Sequence, residues 1–318
     1  MMRAVVVAVI AGGFLCGATG AHSADKIRVS LFKIAASTNL WVAQKTGIFA
    51  RNGLDAELIE FRNGNDGIMG HRGGSIDLVQ SIPGTAMVAL ERGFDLVLLT
   101  QNETAKSAGP DAGSIQVLVD SPYQKLSDLA GKKVAVSGFH SQMTVAVQTV
   151  FEKAGIDSTK VQLLELPFSA MIDALKAKQI DAVAELDPWT TQLKITNVGR
   201  NLSWVYVESV PEQPIGSWFA NSAFVKNKRD VAERYVKSLH EAMDYLNADE
   251  PRARRLVAEF TGLDPKLTET MPLIKWDWHI RRDRWQATID MMHQHGELQK
   301  PHTADEYISE IARPAVVQ

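Results

Sequence analysis

At 318 residues and 35.0 kDa, the chain is long enough for two modest domains, each with a core of its own. A hydrophobic share of 45%, a charged share of 22% and a net charge of −3 are ordinary for a soluble globular protein. That balance excludes an electrostatic footprint for nucleic acid or an anionic membrane. The basic runs Arg252 to Arg255 and Arg281 to Arg284 alternate with acids in helix-like segments and read as solvated faces.

The first segment reads as an export signal over residues 1–23. Arg3 supplies the positive charge, Ala4 to Leu15 the apolar core and Ala18 to Ala24 the small residues of a cleavage site. The apolar core falls short of the roughly 20 residues that span a bilayer. Cys16 is the only cysteine, and Gly13-Phe-Leu15 lacks the small residue that lipid attachment wants immediately before it. An unlipidated mature chain without cysteine is therefore expected, which excludes thiol catalysis and thiolate metal sites.

Beyond the signal, short β-rich runs alternate with helix-length amphipathic runs, the pattern of an α/β architecture. Strands are expected near Ile27–Leu31, Ala56–Phe61, Leu78–Gln80, Leu96–Leu99 and Ser114–Val119. Helices are expected near Leu40–Ala50, Gly67–Gly73 and Pro83–Arg92. A second series runs from Lys132 to about Trp189 and repeats the first in order. Gln179-Ile-Asp-Ala-Val-Ala-Glu-Leu-Asp-Pro188 echoes Ser75-Ile-Asp-Leu-Val-Gln-Ser-Ile-Pro83, and the strand, polar loop and helix ahead of each match as well. A β-α-β-α-β unit used twice implies two similar lobes, which usually share one ligand. Trp204 to Ala220 reads as extended, broken by Pro211 and Pro214. Everything after Lys226 is helical in character, with Trp276-Asp-Trp278 read as the point where this tail docks on the first lobe.

Open α/β sheets bind ligands beyond the carboxyl ends of their strands, where helix N-termini offer free N–H groups. In the first copy this selects Ser37, Asn39, Trp41, Arg62, Ser81, Thr100, Gln101 and Asn102. In the second it selects Ser137, His140, Ser141, Gln142, Phe168, Glu185, Asp187 and Trp189, with Trp218 at the return crossover. Each has an ordinary alternative. Ser141 is placed to cap a helix, Asp187 to set a turn before Pro188, Arg62 to lie on the surface and Trp189 to pack a core. As ligand groups, Arg62 is a guanidinium for a carboxylate or sulfonate, His140 a partial positive charge, Glu185 and Asp187 acceptors for an amine, and Trp189 a flat wall.

In Gly74-Ser-Ile-Asp-Leu-Val, Leu126-Ser-Asp-Leu-Ala-Gly-Lys-Lys-Val-Ala-Val136, Lys178-Gln-Ile-Asp-Ala-Val183, Asp187-Pro-Trp189 and Ser217-Trp-Phe-Ala-Asn-Ser-Ala-Phe224, the chain resembles the periplasmic substrate-binding proteins of nitrate, sulfonate and taurine ABC importers. The resemblance implies a type II periplasmic-binding fold, with lobe one formed by 24–112 and 218–318 and lobe two by 113–217. It further implies a periplasmic, monomeric protein that hands a small anion or zwitterion to an ABC permease and its ATPase. In the family the Asp-Pro-Trp segment and the serine-rich loop line the cleft, here Asp187 to Trp189 and Ser137, His140, Ser141 and Gln142. Leu186 departs from the aromatic found in many members, and Glu185 and Phe168 are also departures. The ligand expected is a sulfonate, a taurine-like compound or an aromatic carboxylate. No cofactor or metal is expected, since nucleophile-elbow, Walker, His-Glu-x-x-His and dinucleotide motifs are absent. The alternative is an exported enzyme on the same fold, with His140 opposite Glu185 or Asp187 as acid and base.

Overall fold

The computed structural model describes residues 23–62 and 64–317, so the expected export signal and Cys16 lie outside the described residues. The chain opens with β1 (Asp25–Leu31), α1 (Thr38–Lys45), α2 (Ile48–Arg51), β2 (Leu54–Glu60), α3 (Gly64–Arg72), β3 (Leu78–Ser81), α4 (Pro83–Glu91) and β4 (Val97–Thr104). The helix expected over Leu40–Ala50 is two helices. Gly47 between them takes φ = 72°, a left-handed conformation that glycine adopts without steric cost.

The second series is β5 (Gly113–Leu118), β6 (Lys133–Val136), α5 (Gln142–Lys153), β7 (Gln162–Glu165), α6 (Phe168–Lys176), β8 (Ala182–Leu186), α7 (Trp189–Ile195), β9 (Gly199–Trp204) and α8 (Val205–Ser209). Then come β10 (Pro214–Ala220), α9 (Ser222–Asn227), α10 (Arg229–Asn247), α11 (Glu250–Thr261), α12 (Pro265–Thr270), β11 (Lys275–Trp276), β12 (Ile280–Arg281), α13 (Arg282–Gln294), α14 (Ala304–Tyr307) and β13 (Val316–Val317). The tail is thus not purely helical. Trp276 pairs with Glu103 on β4, and its fully buried indole joins the tail to the first sheet.

Two sheets organise the chain. One has the order β11-β4-β10-β3-β1-β2 and the other β7-β6-β8-β5-β9. In each, the first strand of the repeat lies between the second and third and runs parallel to both. The Ile-Asp echo has a structural cause. Asp77 accepts the backbone N–H of Arg28 at 2.8 Å, and Asp181 accepts that of Lys133 at 2.9 Å. Each aspartate thus ties the start of the third strand to the first.

Next to the third strand each sheet takes an antiparallel partner, β10 beside β3 and β5 beside β8. These follow the two crossovers, which are themselves joined. Ala105 N–H donates to Gln213 O at 2.9 Å, and Glu212 N–H donates to Lys106 O at 3.2 Å.

Helices cover both faces of each sheet. Leu40, Val231, Tyr235, Leu239 and Val257, from α1, α10 and α11, pack one face of the first sheet. Met171, Leu175 and Leu193, from α6 and α7, pack one face of the second. The remaining faces share one apolar cluster, in which Met87 of α4, Val147 of α5 and Trp285 of α13 all take part. Among the described residues, no helix is long and apolar enough to cross a membrane.

Candidate functional site

The carboxyl ends of the repeat strands converge between the two sheets. The N–H of Gly84, in the first turn of α4, donates to Gln142 Oε1 at 2.7 Å at the start of α5, and Asp187 N–H donates to Ala112 O at 2.8 Å. On the other flank, α7 of the second sheet touches α12 of the tail.

The second-copy residues form the more distinctive half. Side chains alternate along a strand, so Glu185 shares the face of Val183, which packs under α6 and α7. Glu185 is fully buried, and neither carboxylate oxygen has a protein partner. Burial pushes its carboxyl up to about 8. Asp187 lies two residues on. Its Oδ1 accepts from Thr191 N–H at 3.0 Å and Thr191 Oγ1 at 2.6 Å, while its buried Oδ2 has no partner. Burial pushes Asp187 up to about 6, against the pull of the Thr191 bonds. Phe168, the first residue of α6, stacks on Trp189, the first of α7, with ring centroids 5.0 Å apart and planes at 21°. Both rings are half-buried.

The loop before α5 divides its tasks. Ser141 caps the helix by accepting Thr144 N–H at 3.2 Å, so its capping role is the one seen. Ser137 is half-buried. His140 takes φ = 56° and points its Nδ1 at Glu297, 3.0 Å away in the tail. It therefore faces neither Glu185 nor Asp187 as an acid–base partner. Gln142 is fully buried and every polar atom is engaged, its Nε2 donating to Gln213 Oε1 at 2.9 Å and to Pro214 O at 2.8 Å.

In the first copy the structure draws several expected residues inward. Ser37 Oγ donates to Gln80 Oε1 at 2.6 Å, and Asn39 Nδ2 donates to Asn102 Oδ1 at 2.7 Å. Asn102 also accepts from the indole of Trp218 at 2.9 Å, and Trp218 sets its edge against Tyr235 in the core beneath α10. Thr100 bonds His240 on α10 at 2.8 Å, and Gln101 accepts from the indole of Trp285 on α13 at 2.8 Å. These residues brace the helical tail against the sheet. Trp41 meets Phe260 of α11 with centroids 5.5 Å apart and planes tilted by 31°, again on the tail. Ser81 is buried, at the end of β3. Arg62 is 88% exposed and pairs with Asp66 at 2.7 Å.

Other groups escaped the sequence reading. Thr38 Oγ1 and Ser217 Oγ are buried without partners, as is Oδ1 of the expected residue Asn39. At the crossovers, Glu103 is pushed up to about 8 by burial and by nearby Asp111, which burial pushes to about 6. On β5, Ser114 and Gln116 line the face of Glu185, with Gln116 donating to Thr190 O at 2.9 Å. Only the polar alternation of Ser114 and Gln116 in an apolar strand signals them in the sequence.

The model of the NMT1-like family matches residues 20–262. A Brucella abortus chain named only as a binding protein is 25% identical over 231 residues, 72% of this chain and 69% of that one. The formylaminopyrimidine-binding protein of Halalkalibacterium halodurans is 21% identical over 302 residues, covering 90% and 89%. Among solved structures, the alkanesulfonate-binding protein of Xanthomonas axonopodis pv. citri, bound to MOPS, superposes with a TM-score of 0.72 at 22% identity, covering 92% of this chain and 98% of that one. That likeness is one of fold: two α/β lobes in the type II periplasmic-binding arrangement.

Proposed function

This chain belongs to the NMT1-like family, and from that premise we propose that it is an exported solute-binding protein of an ABC importer. It holds a small molecule between the lobe of the first sheet, to which β10 from Pro214 onward returns, and the lobe of the second sheet, and passes it to a permease. Its role is binding rather than turnover, and it works in the periplasm.

The observation that carries the ligand class is Glu185. A buried carboxyl group with two unpartnered oxygens is costly unless hydrogen-bond donors reach it. The Phe168–Trp189 pair at the ends of the neighbouring helices offers a flat apolar surface. The two residues expected to meet an anion are engaged elsewhere, Arg62 with Asp66 and His140 with Glu297. The site therefore favours a small organic molecule that carries N–H donors over a bare anion. A flat amidine-like or aminopyrimidine ring fits best, in keeping with the formylaminopyrimidine named for one relative.

Benzamidine and benzoate share a ring and carry opposite head groups, so they separate donor from acceptor recognition. In a thermal-shift panel with taurine, an alkanesulfonate and nitrate, benzamidine raises the melting temperature and benzoate does not. A shift with benzoate or nitrate alone would sink the proposed ligand class.

A further inference from the structure

A second cavity lies within the lobe of the first sheet and encloses about 300 Å³. Met87, Leu90 and Glu91 share one face of α4 and form one wall of it. Leu98 of β4, Phe219 of β10 and Trp285 of α13 extend its apolar lining. None of the residues grouped around Glu185 lines it, so it is separate from the candidate site. The Trp285 N–H is already engaged by Gln101 at 2.8 Å, which leaves the indole only its ring to offer.

Three charged residues line the cavity, and they are bonded to one another. His302 sets Nε2 2.8 Å from Glu91 Oε1 and Nδ1 2.7 Å from Glu306 Oε2. The other carboxylate oxygens accept backbone N–H groups, Glu91 from Gln299 at 2.8 Å and Glu306 from Thr303 at 2.9 Å. Two carboxylates face one imidazole, so the local field turns anions away. Among the lining residues no free cation is left to hold one.

The exception to this full bonding is Tyr307 of α14, which lines the cavity and whose hydroxyl is buried without a partner. An orphaned hydroxyl is costly unless another group reaches it. Water answers poorly, since a buried water wants roughly two to four polar partners and the side chains around it are apolar or engaged. A ring with one hydroxyl answers both needs: its apolar body covers Phe219 and Trp285, and its O–H meets Tyr307. Benzene fits an apolar cavity of about 150 Å³, so one of about 300 Å³ admits a single substituted ring.

We propose that this cavity is a second ligand site, separate from the solute site between the lobes, and that it takes a small neutral aromatic alcohol. The site owes nothing to what the lobes bind between them.

The test is a titration of the full chain with p-cresol, followed by NMR at the tryptophan indole N–H signals. The alcohol should shift Trp285 saturably and leave Trp189 unmoved, and the anion p-toluate should not shift Trp285. Tyr307→Phe should weaken p-cresol roughly fivefold, while toluene, which has no hydroxyl, should keep its affinity to within about twofold. No saturable shift of Trp285 with p-cresol would overturn the site. So would a shift confined to Trp189, which places the alcohol in the cleft. Equal weakening of p-cresol and toluene, or a p-toluate response matching that of p-cresol, would overturn the ligand class.

Should Tyr307→Phe fail to fold, Leu90→Trp fills the cavity from a half-buried position on α4. It should abolish the Trp285 shift with p-cresol and toluene alike, and binding retained in that variant would overturn the site.

Discussion

Phe168 stacks on Trp189 across the starts of α6 and α7, with ring centroids 5.0 Å apart. The stack covers the face of the sheet that holds Glu185, whose backbone carbonyl accepts from Thr190 in the next turn. An aromatic pair beside an unpartnered carboxyl group gives this lobe an apolar wall and a strong acceptor within a few residues.

Replacing Trp189 by alanine removes half of the wall while leaving Glu185 in place. Aromatic contacts of this kind contribute about 1 kcal/mol, so benzamidine affinity should fall by roughly fivefold. Titration calorimetry on the wild type and Trp189→Ala reads this directly. An unchanged affinity would mean that the indole only packs the core.

Glu185 should leave a pH signature. Burial raises its carboxyl from 4.5 to about 8 in the folded protein. Below pH 4.5 it is protonated in both folded and unfolded chains. Between those values the unfolded chain gives up its proton and the folded one keeps it, so stability falls as pH rises and the loss levels off above about 8. Glu185→Gln has no such proton, so its melting temperature should decline less over this window and exceed that of the wild type at the alkaline end. Benzamidine binding at neutral pH should release a proton from the wild type and none from Glu185→Gln, which calorimetry in buffers of different ionisation enthalpy resolves.

The doubled architecture was legible because each repeat keeps its own local logic. Alternating apolar strands, glycine-ended helices and the paired Ile-Asp steps all survive into the two sheets. The candidate site was legible where local structure alone sets it, as at Glu185 and Trp189 on strand-to-helix turns. It was not legible where long-range packing decides. Thr100, Asn102 and Trp218 sit at plausible strand positions, but His240 and Tyr235 on α10, more than a hundred residues away in sequence from Thr100 and Asn102, claim their side of the sheet. Gln142 looked like a ligand group because nothing near it in sequence reveals that Gly84 and Gln213 use up its amide.

The Ile-Asp step is testable as a structural device. Asp77 takes the backbone N–H and the guanidinium of Arg28, with contacts at 2.8 Å. Burial pushes its carboxyl up, but the Arg28 bonds outweigh this and hold it below the ordinary 3.8. Its contribution is therefore present above that value and lost as pH falls through the folded pKa. Asp77→Ala should cost roughly 1–3 kcal/mol at neutral pH in denaturant titrations and progressively less in strong acid. Asp181→Ala should cost a similar amount through Lys133 N–H, and benzamidine affinity should survive both changes.

Trp41 and Trp189 should behave as opposites. Trp41 lies on α1 and faces α11, where its ring packs at a tilt against Phe260 and carries Lys45 over it, 4.6 Å from the centroid. Its neighbours are those of a docking contact between the tail and lobe one. Trp41→Ala should lower stability by roughly 1–3 kcal/mol, less than a fully buried tryptophan because the ring is only half-buried. Since α11 is held independently by Val257 and Phe260 in the same core, the fold should persist and benzamidine should bind as before. If Trp41→Ala instead weakens benzamidine as much as Trp189→Ala does, the ligand reaches the first helix of lobe one, and the polar atoms orphaned at Thr38 and Asn39 become part of its site.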